Sequence, residues 1–141
     1  MLGCREQNVV DALETYVRTG APGLVGTVLD PKMSEAYGSL LVESKEEAFE
    51  DGFDRLWNLL KSQRSESSSN YRLAVEYGIA RLVLRASSDS EVRKRYSMVM
   101  EKANSWENDQ APHRRAAYVN MPKLIREGMD RKRLLLLRTQ F

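Results

Sequence analysis

The chain has 141 residues, a length that suits one folded unit, because a second core would leave each half marginal. With 42% hydrophobic and 30% charged residues, and 22 Lys and Arg against 20 Asp and Glu, it is neither wholly disordered, nor collagen-like, nor a disulfide scaffold. One cysteine, Cys4, and one histidine, His113, exclude a multi-Cys/His zinc site built by this chain alone.

Met1-Leu2-Gly3 runs directly into Cys4-Arg5-Glu6 with no apolar leader, so the expected location is intracellular, cytoplasmic or nuclear, or virion-associated, and not secreted. Cys4 is expected to be a reduced bystander. Over 5–19, Val9, Val10, Leu13, Tyr16 and Val17 recur at three- and four-residue steps and predict a helix stopped by Gly20. Ala21-Pro22-Gly23 makes a turn, and Leu24, Val25, Val28 and Leu29 form a short apolar helix ended at Asp30-Pro31. A further helical turn or two is expected over 34–42.

Ser44 followed by Glu47 has the spacing of a capping box and predicts the start of a long helix. Its stripe of Ala48, Phe49, Phe53, Leu56, Trp57 and Leu60 is the clearest amphipathic pattern in the chain, with Glu46, Glu50, Asp54 and Lys61 left for solvent. The run 64–70, rich in serine, predicts a loop. From Tyr71 to Ala86 apolar residues appear on almost every side, which predicts a central helix surrounded by others, with Gly78 admitting a close neighbour. The aromatic stripe of the preceding helix is expected to pack on Leu73, Tyr77, Ala80 and Leu84. Ser88 with Glu91 repeats the capping spacing, and Val92, Tyr96, Val99, Met100 and Ala103 form the inward stripe of a helix reaching about Trp106. A loop is expected over 107–112, then a short helical piece carrying Ala116, Ala117 and Tyr118, and a last helix that Pro122 starts at its first position.

Five to seven helices without a strand pair or a repeat predict an all-α fold: a single-domain irregular helical bundle over 1–141, with a basic helical segment over 112–141. The longest apolar run, Leu134 to Leu137, is far short of the ~20 residues of a spanning helix, so no integral membrane association is expected.

Catalytic patterns are missing. The acids Glu43, Glu46, Glu47, Glu50, Asp51 and Asp54 have the spacing of a solvated helix face and lack the Glu-x-x-His pairs of di-metal helical sites. There is no Gly-x-Ser-x-Gly elbow and no phosphate-binding glycine motif; Gly20, Gly23 and Gly26 read as turn residues. Tyr118-Val119-Asn120-Met121 matches a short phosphotyrosine pattern, but beside Ala116 and Ala117 it reads as a packing face. Met98, Met100, Met121 and Met129 read as adaptable core. The expectation is a chain without enzymatic activity, metal or cofactor.

Charge asymmetry is the informative signal. Residues 112–141 carry eight basic side chains against two acidic ones, while the rest of the chain has a net charge of −4. The leading expectation is a protein-interaction or assembly subunit, an adaptor or structural component of a larger cellular or viral complex, that binds a protein partner or a second copy of itself. Arg131, Lys132, Arg133, Leu134, Leu135, Leu137 and Arg138 would form its partner surface, because four consecutive leucines sweep most of a helix circumference and one supporting face cannot cover them all. The alternative is a nucleic-acid-binding helical protein whose Arg114, Arg115, Lys123 and Arg126 contact phosphates. The basic segment lying on the acidic face of its own fold is the simplest structural role for the same residues.

Overall fold

The computed structural model describes residues 34–43, 47–62 and 69–140, with side chains at 34–43, 47–62 and 72–134. The helices expected over 5–19 and 24–29, Cys4, Ser44 and most of the serine loop lie outside these residues. The described residues are all-α: helices α1 (Ser34–Glu43), α2 (Phe49–Ser62), α3 (Ser69–Leu84), α4 (Asp89–Ala103) and α5 (Pro112–Gln140), with a 3₁₀ turn (Asn104–Trp106) after α4 and no strand among them.

The expected central helix is α3, which packs against each of the other four. Ala74, Val75, Ile79 and Val83 are completely buried along it, and Ala80 and Leu82 nearly so. Its partner α1 approaches closely because both surfaces lack side chains where they meet. A Cβ on Gly38 would lie 2.5 Å from the Ala74 carbonyl oxygen and 2.9 Å from the Gly78 nitrogen. Gly78 also receives Leu56 of α2, whose Cδ1 would stand 3.1 Å from a Cβ there.

Helix α2 buries Phe49, Phe53, Leu56, Trp57 and Leu60 as its periodicity predicts, and Leu59 besides. Their partners on α3 differ from the expected set. Gly78 and Leu82 meet α2, whereas Tyr77 faces Gly38 of α1 and Leu84 faces Gly128 of α5. Leu73, Tyr77 and Leu84 are half-buried.

The start of α2 also differs. The helix begins at Phe49, with the Ala48 carbonyl accepting the first intrahelical bond from Gly52 at 3.0 Å, and Ala48 itself is exposed. The Glu47 carboxylate instead accepts from Arg55 Nε at 2.9 Å, and Arg55 Nη2 donates to the Leu41 carbonyl at 2.6 Å. One guanidinium thus joins a carbonyl in the last turn of α1 to the entry of α2. The second capping pattern forms as expected at its first half: Ser88 has extended backbone, and its hydroxyl accepts from the Glu91 N–H at 3.2 Å.

Helix α5 is one continuous element, not two pieces. The first-position argument holds for Pro112, since Arg114 and Arg115 both donate to the Ala111 carbonyl, and Pro122 lies inside the helix. An interior proline removes the bond to the carbonyl four residues back and costs ~3 kcal/mol. Here Ala117, Met121 and Ile125, all completely buried, fall on one stripe across the proline. Burying that stripe on both sides of Pro122 offsets the broken bond.

Candidate functional site

The side chains of the basic segment split between inward and outward roles. The stripe of Ala117, Met121, Ile125 and Gly128 turns α5 toward the core. At 100° per residue the opposite face carries Val119, Lys123, Arg126, Asp130, Arg133 and Leu134, every one of them exposed. Val119 and Leu134 are the exposed large hydrophobic residues among the described ones, 50% and 57% accessible.

Arg114 faces inward at the start of α5. Its guanidinium meets Asp109 Oδ2 at 3.4 Å, donates to the Lys61 carbonyl at 3.1 Å and stands 5.9 Å from the Trp106 ring centre. Arg115 donates to the Asp109 and Gln110 carbonyls at 2.6 and 3.2 Å. The Asp109 carboxylate accepts from Ala111 N–H at 2.9 Å, and this bond, then Arg114, holds it below the usual aspartate range. These two arginines organise the turn into α5. Arg126 donates to the Tyr96 hydroxyl at 3.3 Å, and exposed Lys123 makes no ion pair or hydrogen bond among the described residues. The four cations of the phosphate-binding alternative are therefore distributed along the helix and do not converge on one position.

At the other end, Arg131 reaches Glu35 of α1 at 3.4 Å, a pair exposed on both sides and so of little energetic weight. Lys132 turns inward, and its Nζ donates to the carbonyls of Leu84 and Ala86 at 3.2 and 3.3 Å. Arg133 and Leu134 face solvent. A cavity of about 130 Å³ opens beside Arg133, lined by Leu84, Val92 and Met129 and by Asp89, Arg93, Lys132 and Arg133. The helical backbone continues through Leu135, Leu137 and Arg138, whose side chains lie outside the described residues. Among the described residues no helix is long and apolar enough to cross a membrane.

A second polar cluster went unnoticed in the sequence. Glu76 is completely buried, with Arg72 Nε 3.3 Å from Oε1 but too poorly aligned for a hydrogen bond. Neither carboxylate oxygen has a hydrogen-bond partner among the described residues. Burial pushes the carboxyl up to about 8, against the opposing pull of the Arg72 charge and of Asn120. The two ring nitrogens of His113 are likewise buried without partners, and burial, then Arg114 and Arg72, hold its pKa below the usual value. The signal was present: Glu76 stands in Leu73-Ala74-Val75-Glu76-Tyr77-Gly78-Ile79, a helical run apolar all round. Glu76 is the fully buried member of this cluster, and Arg72 and His113 are half-buried.

Comparison of the chain with protein-family models, with curated proteins and with solved structures yields no match.

Proposed function

We propose that the chain is a non-enzymatic interaction or assembly subunit, one helical bundle domain that presents the outer face of α5 to an acidic, apolar-lined protein surface. The observation that carries this reading is the placement of Leu134 and Val119 on the same helix face as Lys123, Arg126 and Arg133. Leucine and valine in that setting supply apolar area, and the flanking cations supply orientation and encounter rate. Arg114 and Arg115 are engaged in the turn before α5, which favours a protein partner over nucleic acid.

The test is fluorescence anisotropy of the full chain with a glutamate-rich amphipathic helical peptide bearing leucines at helical spacing, and in parallel with single- and double-stranded oligonucleotides, across a salt series. The peptide should bind, keep measurable affinity as salt rises, and release on Leu134→Glu or Arg133→Glu. Tighter oligonucleotide binding with a steep salt dependence would overturn this reading in favour of phosphate contacts. No peptide binding, or binding indifferent to both substitutions, would overturn it as well.

A further inference from the structure

The charge division of the chain has a counterpart on its own surface. Between α2 and α4 lies a groove of about 460 Å³ whose floor is Phe53 and Met98 and whose rim carries Glu50, Asp54 and Glu101. The one cation at the rim, Lys102, is drawn to Asp54 at 3.7 Å and lies 6.0 Å from the Phe53 ring centre. The groove is thus apolar beneath and acidic above, the complement of the outer face of α5.

We infer that this groove receives the Arg133–Leu134 end of α5 from a second copy of the chain, an assignment that rests on the proposed role of that helix face. Leu134 would lie over Phe53 and Met98, and Arg133 would stand among Glu50, Asp54 and Glu101.

The two surfaces of one copy do not meet. The cavity beside Arg133 is lined by Asp89, Val92 and Arg93 at the start of α4, whereas the groove is lined by Met98, Glu101 and Lys102 farther along the same helix. At 1.5 Å per residue the centres of the two regions are about 14 Å apart along α4, farther than a leucine or arginine side chain extends. Docking is therefore between copies. Donor and acceptor are different surfaces, so reciprocal insertion closes an isologous two-fold dimer, whereas one-way insertion is heterologous and builds a ring or an open array. The net charge of 112–141, +6, against −4 for the remainder favours the head-to-groove arrangement over like surfaces meeting.

Light scattering of the full chain over a concentration series at low salt tests the assignment. The mass should rise with concentration toward a dimer or a longer array, and the association should weaken with added salt. Arg133→Glu and Glu101→Lys, both at exposed positions, should each weaken self-association by about tenfold or more while leaving thermal unfolding unchanged. Mixing these two variants should restore the mass, because Glu at 133 then meets Lys at 101 and the wild-type pair re-forms in the other direction. A monomer at every concentration, or self-association indifferent to both substitutions, overturns the assignment. A chain that binds the acidic peptide yet stays monomeric refutes self-docking alone, and a chain that does neither refutes the reading beneath it too.

Discussion

The indole of Trp57 lies flat against that of Trp106, with ring centres 3.9 Å apart and planes 13° from parallel. Trp57 belongs to α2 and Trp106 to the 3₁₀ turn that precedes α5, and both are 5% exposed. Phe53 meets Trp57 edge-on at 5.7 Å and stacks on Phe49 at the same distance, so the aromatic column runs from Phe49 to Trp57 along α2 and ends on Trp106. Removing Trp106 leaves a cavity and unseats Arg114 from the ring it covers. Trp106→Ala should destabilise by about 3–5 kcal/mol in urea unfolding, with loss of near-ultraviolet circular dichroism. An unchanged midpoint would mean that the column is not part of the core.

Gly38 and Gly128 are both helical and closely approached, yet they should respond differently to alanine. At Gly38 the added Cβ meets the Ala74 carbonyl and the Gly78 nitrogen, backbone atoms of α3 that cannot move without shifting the helix. Gly38→Ala should cost about 1–3 kcal/mol by overpacking, beyond the gain in helix propensity. At Gly128 the Cβ meets the end of the Leu84 side chain, which is only half-buried and can take another rotamer. Gly128→Ala should therefore be the milder substitution, and chemical denaturation of the two variants side by side checks the order.

Glu76 gives the fold a pH dependence with a definite sign. A carboxyl raised to about 8 in the folded state, from 4.5 when solvated, binds its proton more tightly folded than unfolded. Stability is then highest below the solvated value and falls as pH rises from there to about 8. His113, whose pKa is lowered from 6.5, acts in the other direction, adding stability above that pH that is lost as pH falls through the folded-state value. Between pH 6.5 and 8 the Glu76 effect acts without that opposition. Over that window the unfolding free energy should decline with pH in the native chain and stay flat in Glu76→Gln, which should be about 1–3 kcal/mol more stable at the upper end. A decline that survives the substitution would place its origin elsewhere.

Legibility in the sequence followed the range of the forces involved. Periodicity locates α2 and α4, because each buries a face whose pattern is local, and α3 shows as a run apolar on almost every side: Phe49, Phe53, Leu56 and Trp57 needed no knowledge of their partners. The partners themselves are tertiary. Nothing local to Trp57 marks Trp106 as its neighbour, and nothing near Gly38 announces the Ala74 carbonyl. Where a local rule competed with packing, packing prevailed: Pro122 continues a helix that proline alone would end, and Glu47 takes Arg55 instead of capping a helix. The basic segment was legible as a composition, yet only the rotation of α5 about its axis separates Lys132, turned inward, from Arg133 and Leu134, turned outward.

That separation can be measured. The last turn of α3 and the residues just after it leave carbonyls without helical partners, and cations from two other helices meet them: Arg95 Nη1 donates to Leu82 at 2.8 Å, and Lys132 Nζ donates to Leu84 and Ala86 at 3.2 and 3.3 Å. A positive charge at a helix C-terminus is favourable, and here the ammonium is partly shielded from water. Lys132→Met keeps the aliphatic stem and deletes the charge and its hydrogen bonds, so it should cost about 1–2 kcal/mol of stability. It should leave peptide binding by the outer face of α5 unaltered at temperatures where the variant is folded. Arg133→Glu, one residue on but about 100° around the helix, should do the reverse, preserving the unfolding midpoint and abolishing binding. If Lys132→Met weakens binding as much as Arg133→Glu while stability is untouched, Lys132 belongs to the docking surface and the division of α5 into an inward and an outward face is wrong.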